Sequence, residues 1–293
     1  MLNSWYIREI EIKKQIYRQE IQWQEYKETL PNNTLDYAIF GDSHTRDALN
    51  PKYIKNSFNF ASSGEDYRET YFRVKKLVDD VNINNFILQI DLHQFSESLR
   101  TDERLFRDKY FWKNYLSISK KSEMRNEPIL ITALNLNSHL LILGKGHNIF
   151  STPDDKLTQM FMGWTNSTRF EKNISHNAQK RIKAHFDYEK AIVHNESFNY
   201  FMKILKLAKN NSIDLIFISL PVTIEYEIEA NNLGIFREEF KEIIFQKITN
   251  ASKEYRFFDF HDKFFSNNSY FRDSDHLNYN GSTIISKVLK EKI

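Results

Sequence analysis

Five short apolar segments, separated by helix-length stretches, restrict this chain to one kind of architecture. They are residues 35–40, 57–61, 86–90, 215–220 and 257–260. Each has the length and apolar character of a buried strand. The first runs straight into Gly41-Asp42-Ser43-His44, the second into Ser62-Ser63-Gly64 and the third into Asp91-Leu92-His93-Gln94, while the fourth stops at Pro221. Helical patterns cover 65–81, 196–209 and 237–255, and a last helix begins near Gly281. Strand alternating with helix at this spacing means right-handed βαβ units and a parallel sheet, hence an α/β fold.

Two stretches fall outside that rhythm. Residues 4–29 read as a helix with a loose apolar stripe, ended by Pro31 and two asparagines. It is either a lead-in helix packed on the domain or a juxtamembrane stalk, so the chain divides into an N-terminal helix over 1–30 and a main domain over 31–293. The middle of that domain, about 95–191, holds aromatic patches at 110–112 and 161–164 and a mostly apolar run over 129–143. It reads as helices and loops inserted after the third strand, forming a cap or a substrate wall. The apolar run is shorter than the roughly 18 residues of a spanning helix, and no signal-peptide core opens the chain. The expectation is a cytoplasmic chain, or one that begins after a membrane anchor.

Composition removes several functions. Cysteine is absent, so disulfides, thiolate catalysis and cysteine-ligated zinc are excluded. The net charge is +2 with no Lys/Arg-rich tract, which argues against nucleic acid as a partner. With 41% hydrophobic residues the chain can bury a large core.

Ligands of open parallel sheets sit outside the carboxyl ends of the strands. The three polar clusters fall there, as does the Asp273-Ser274-Asp275-His276 loop after the fifth strand. Acyl transfer needs a nucleophile, a base within reach of it, a group that orients the base, and donors aimed at the developing oxyanion. Ser43 lies at a strand-to-helix turn, where its hydroxyl is exposed and its own backbone N–H is free. Gly64, lacking a side chain, can bring a second N–H close. His276 supplies the base, and Asp273, three residues earlier on a turn, reaches its Nδ1 and sets the tautomer.

These blocks resemble a known family. Gly41-Asp42-Ser43-His44 resembles the Gly-Asp-Ser block of the SGNH (GDSL-like) hydrolase superfamily. Residues 59–64 are similar to its second block, whose glycine donates to the oxyanion. Asp273-Ser274-Asp275-His276-Leu277-Asn278, followed by Gly281, resembles its Asp-X-X-His block. The resemblance implies a three-layer, flavodoxin-like open parallel sheet of about five strands with a helical insertion. It also implies a Ser43–His276–Asp273 triad, esterase or O-acyltransferase chemistry, and neither cofactor nor metal. One block departs from the pattern: where the family carries an asparagine, this chain has Asp91, His93 and Gln94. An ionised Asp91 cannot donate, whereas Gln94 can complete the oxyanion donors with Ser43 and Gly64. The departure moves the resemblance toward SGNH-like proteins of cell-surface glycan O-acylation, such as those of teichoic-acid D-alanyl transfer and alginate O-acetylation. That implies an acyl-bearing or acceptor glycan, an extracytoplasmic membrane-tethered enzyme, and a membrane-bound O-acyltransferase partner.

Plainer readings stand beside each residue. Ser43 serves equally as a helix N-cap, His276 as a surface histidine and Gly64 as a turn glycine. Asp275 competes with Asp273 as orienter, although a residue adjacent to the histidine usually points away. Asp42 suits a structural role, bonding backbone amides of the nucleophile turn, and His44 and His93 are either walls of the site or solvated surface. Two other functions fit parts of the pattern. Asp42-Ser43-His44 also resembles the Asp-X-His start of metallophosphoesterases, with Asp91, Asp273 and His276 completing a metal site; the later motifs of that family are missing from the sequence. The third reading is a non-catalytic SGNH-fold module that binds glycan or scaffolds a partner.

Overall fold

The computed structural model describes residues 22, 25–29, 34–96, 158–167, 171–186, 195–251 and 255–293. The chain divides into two units, one of Met1–Tyr17 with Arg100–Asp155 and one of Arg18–Leu99 with Lys156–Ile293. The first unit lies outside the described residues, and with it the aromatic patch at 110–112, the apolar run at 129–143 and most of the helix expected over 4–29.

In chain order the second unit contains β1 (Thr34–Phe40), α1 (Ser43–Ala48), β2 (Ser57–Asn59), α2 (Tyr67–Asp80), β3 (Asn82–Gln89) and α3 (Leu92–Phe95). Then come β4 (Thr158–Phe161), β5 (Trp164–Ser167), α4 (Ile174–His185), α5 (Asn195–Asn210) and β6 (Asp214–Ser219). The remainder is α6 (Ile224–Asn232), α7 (Arg237–Ala251), β7 (Arg256–Asp259) and α8 (Tyr279–Lys290).

Five strands pair in parallel in the order β2-β1-β3-β6-β7, the doubly wound arrangement with its switch point beside β1. Register follows from the pleat. Ala38, Phe86 and Leu215 stand opposite one another and face one way, while Ile39, Ile87 and Ile216 face the other. The first face packs on Val74 and Leu77 of α2, Phe201 and Leu205 of α5, and Ile244 and Ile248 of α7. The second packs on Leu49, Phe260, and Ile285 and Leu289 of α8. Three layers result because both sheet faces are apolar, as parallel strands require. Truncating a wholly buried ring such as Phe86 to alanine costs about 3–5 kcal/mol.

The region expected to be helices and loops contains an antiparallel hairpin, β4–β5. Its turn residues Met162 and Gly163 both have positive φ, 47° and 81°, which matches the twist of the flanking strands. Gly163 lies so close to the Asn59 carbonyl that no Cβ would fit. The Asn59 N–H donates to Met162 O at 3.0 Å, so the turn seats on the outer edge of β2 and covers it. The short helical turn at 25–29 closes the same corner. Glu25 accepts the backbone N–H groups of Met162 and Gly163 at 2.5 and 3.1 Å, and Tyr26 meets Phe58 and Phe60 edge-on. Among the described residues no helix is long and apolar enough to cross a membrane.

Candidate active site

The nucleophile turn is built by residues around Ser43 as much as by Ser43 itself. Gly41 has a φ of 156°, and a Cβ there would overlap Thr45 Oγ1 and the Gln89 side chain. Gln89, wholly buried at the end of β3, accepts the Asp42 N–H at 2.9 Å and the Thr45 hydroxyl at 2.7 Å. Asp42 caps α1, its carboxylate accepting the His44 N–H at 2.8 Å. Asn59 closes the other end of the helix by donating to the carbonyls of Thr45 and Leu49 at 3.1 and 2.8 Å. Ser43 is thereby the first residue of a pinned helical turn at the carboxyl edge of β1.

The second half of the site is the loop between β7 and α8. A bridge between Phe271 and Leu277 pinches it, and Asn278 caps α8 just beyond. Asp273 accepts the backbone N–H groups of Asp275 and His276 at 3.2 and 2.8 Å, folding its side chain over its own turn. Ser274, buried, donates its N–H and hydroxyl to Asn177 of α4, and its carbonyl accepts from Thr223.

These two halves meet. His276 Nε2 lies 2.8 Å from Ser43 Oγ, and His276 Nδ1 lies 2.9 and 3.0 Å from the two oxygens of Asp273. A carboxylate on Nδ1 requires the proton there, which leaves Nε2 free to accept from the serine hydroxyl. Asp275 is 3.4 Å from the same Nδ1, but its shorter contacts go to Arg181 Nε, 2.7 and 3.0 Å, and His44 Nε2, 2.9 Å. Asp273 is therefore the carboxylate engaged with the His276 ring, and Asp275 belongs to the scaffold behind it.

The histidines expected as walls or surface pack with His276 and His185 as two stacked pairs, tilted against each other. His44 lies over His276 with centroids 4.6 Å apart and planes 12° apart, His93 follows His44 at 4.5 Å, and His185 follows His93 at 4.5 Å. His44 is buried rather than solvated. Burial pushes its imidazolium down, but the carboxylates of Asp42 and Asp275 outweigh that and raise it to about 10. Burial likewise opposes the charge of Asp42, yet His44 and His93 hold that carboxyl well below its usual range. His185 goes the other way: burial first, then the Arg181 guanidinium, holds it well below the usual imidazole range. Its Nε2 accepts from Arg181 at 3.0 Å and its Nδ1 meets Tyr226 Oη at 2.6 Å.

Sequence reasoning missed several of these groups. Arg272 spans the site, with Nη2 2.8 Å from Asp47 of α1 and Nε 3.3 Å from Asp273. Burial works against the Asp47 charge, but Arg272 and Arg46 hold that carboxyl far down. Gln89 left a signal, as the one amide in the apolar run 86–90, and Arg272 directly precedes the Asp-X-X-His block. Arg181 and His185 left none, because α4 carries no pattern that points to this edge.

Of the expected oxyanion donors, Ser43 stands at the helix start and Gly64 in an exposed turn with a φ of 62°. Gln94 is buried and turns its amide onto the Glu65 carbonyl at 3.4 Å. Asp91 is drawn away into the sheet, accepting from the Ser219 hydroxyl at 2.6 Å and the Gln89 amide at 2.8 Å. Among the described residues, three groups each bring their donor atoms within 4.8 Å of one another: Asp42, His44 and His93; His44, His185 and Asp275; Asp273, Asp275 and His276. Asp91 is in none of them, and within each group ring nitrogens face carboxylates at 2.6–3.7 Å. The donor set is one of paired acids and bases rather than of converging lone pairs.

No protein-family model and no curated protein matches this chain. Solved structures include a similar chain from Streptococcus pneumonia, described as a candidate platelet activating factor. It has a TM-score of 0.46 and 13% identity, over 99% of this chain and 95% of that one. The α/β three-layer fold stands on the sheet order and packing above.

Proposed function

We propose that this chain carries out serine-dependent acyl-ester chemistry, as an esterase or O-acyltransferase, through an acyl-Ser43 intermediate. The observation that supports this is the 2.8 Å approach of Ser43 Oγ to His276 Nε2, with Asp273 on the other ring nitrogen. In this reading Ser43 Oγ attacks the ester carbonyl while His276 Nε2 takes the hydroxyl proton. The carbonyl oxygen becomes an oxyanion that faces the Ser43 N–H, with the Gly64 N–H as second donor. Collapse of the tetrahedral intermediate expels the alkoxide, which takes the proton from His276 and leaves as an alcohol. A second hydroxyl, from water or a sugar, then gives its proton to His276 and attacks the acyl-serine carbonyl; collapse breaks the bond to Ser43 Oγ, which takes that proton back from His276. No step needs a cofactor.

The acyl acceptor in the transferase form is a cell-surface glycan, and the acyl group arrives from a membrane-bound O-acyltransferase partner. Both elements rest on the resemblance of the sequence blocks to glycan-modifying relatives. The test is release of nitrophenolate from p-nitrophenyl acetate, with and without a soluble polysaccharide acceptor. The wild type releases it saturably, and Ser43→Ala and His276→Ala lose about a thousandfold or more in rate. Equal turnover by all three proteins contradicts the reading.

A further inference from the structure

His44 joins two parts of the site that lie 231 positions apart in the chain. Its Nδ1 is 2.9 Å from Asp42 Oδ1, and its Nε2 is 2.9 Å from Asp275 Oδ2. Asp42 belongs to the nucleophile turn, where it caps the helix that Ser43 starts. Asp275 belongs to the loop that carries His276. We propose that His44 is a positioning residue that bolts the nucleophile turn to the Asp273–His276 loop and so keeps Ser43 Oγ within reach of His276 Nε2. The proposal rests on the acyl-serine reading given above.

Chemistry singles out this residue among the four clustered histidines. Only a ring with hydrogens on both nitrogens can satisfy two carboxylates at once, since a neutral ring would turn a lone pair on one of them. The side chains of His44, Asp42 and Asp275 are 4%, 7% and 0% exposed, so water does not substitute for a missing partner. Other groups also face the ring. His276 lies on one face, His93 is tilted 58° at 4.5 Å, and His185 approaches at 5.6 Å, while Arg181 stands behind Asp275. The ring that holds the two carboxylates also lies parallel to His276. It therefore sets the position of the base and places a positive charge against its face. The upward shift of His44 to about 10 agrees with the geometry.

The test compares wild type with His44→Gln, which keeps one donor but loses the ring and the charge. Circular dichroism first establishes that the variant is folded. The rate of phosphonylation of Ser43 by a small fluorophosphonate is then followed from pH 5 to 10. The expected result is a 10- to 100-fold slower adduct rate, with the alkaline limb that deprotonation of His44 near pH 10 gives the wild type flattened in the variant. A ring that has lost its second proton satisfies only one of its two carboxylates, so the bolt loosens there. A side chain that only filled space would leave that limb in place. An unchanged rate and an unchanged limb overturn the proposal and leave the serine reading intact. No adduct on the wild type overturns the serine reading, and the proposal with it. If His44→Gln does not fold, the wild type alone decides: a fall in adduct rate towards pH 10 supports the bolt, and a profile flat to pH 10 overturns it.

Discussion

Asp273 holds His276 at two points: it accepts the backbone N–H at 2.8 Å and lies 2.9 and 3.0 Å from the ring Nδ1. The turn that brings the carboxylate within reach is thus made by that same carboxylate. Three residues of separation suffice, and no second element is needed to orient the ring. Asp275, one residue from the histidine, supports the loop from below through Arg181 and His44.

The two acids therefore fail differently. Asp273→Asn keeps an acceptor for the turn but removes the charge that stabilises the His276 imidazolium. Its phosphonylation rate falls by about 10³–10⁴ with little change in melting temperature. Asp275→Asn leaves the partly buried Arg181 without its ion-pair partner and His44 with Asp42 alone, and costs about 3–5 kcal/mol of stability, read by urea unfolding.

Stability follows a bell with pH. His44 is raised from 6.5 to about 10 on folding, so its contribution is complete below about pH 6.5 and is lost as pH rises through 10. His185 is lowered on folding. Below about pH 6.5 the unfolded chain takes a proton that folded His185 refuses, and stability falls on the acid side too. Urea unfolding from pH 5 to 10 gives a maximum between these limbs, and His44→Gln flattens the alkaline one.

Gly41→Ala pushes a methyl group into Thr45 Oγ1 and the Gln89 side chain at a backbone angle that suits glycine. It costs about 1–3 kcal/mol and shifts the turn that presents Ser43. The adduct rate falls along with the melting temperature, unlike in Asp273→Asn.

Gln89→Leu has nearly the same volume but strands the Asp42 N–H and the Thr45 hydroxyl in a dry interior. The loss is about 1–3 kcal/mol in urea unfolding.

Strands β1, β3 and β6 are legible in the sequence because both their faces are buried, which makes them continuous apolar runs. The hairpin β4–β5 is not, because its turn is Met162-Gly163 rather than an Asn-Gly type and its strands are four residues long. Ser43, Asp273 and His276 are legible because each follows a strand and two of them share one turn. The role of His44 is not, since it depends on a partner 231 residues away and on burial that no local pattern encodes. The same holds for Arg181, whose helix α4 is mostly polar and shows its inner face only through Ala178 and Ile182.

The most direct measurement is the intact mass of the folded protein after treatment with a small fluorophosphonate, followed by mapping of the adduct. A Ser43 hydroxyl activated by His276 predicts a single adduct on Ser43, absent in Ser43→Ala and slowed at least a hundredfold in His276→Ala. An unmodified wild type, or an adduct that persists in Ser43→Ala, contradicts it.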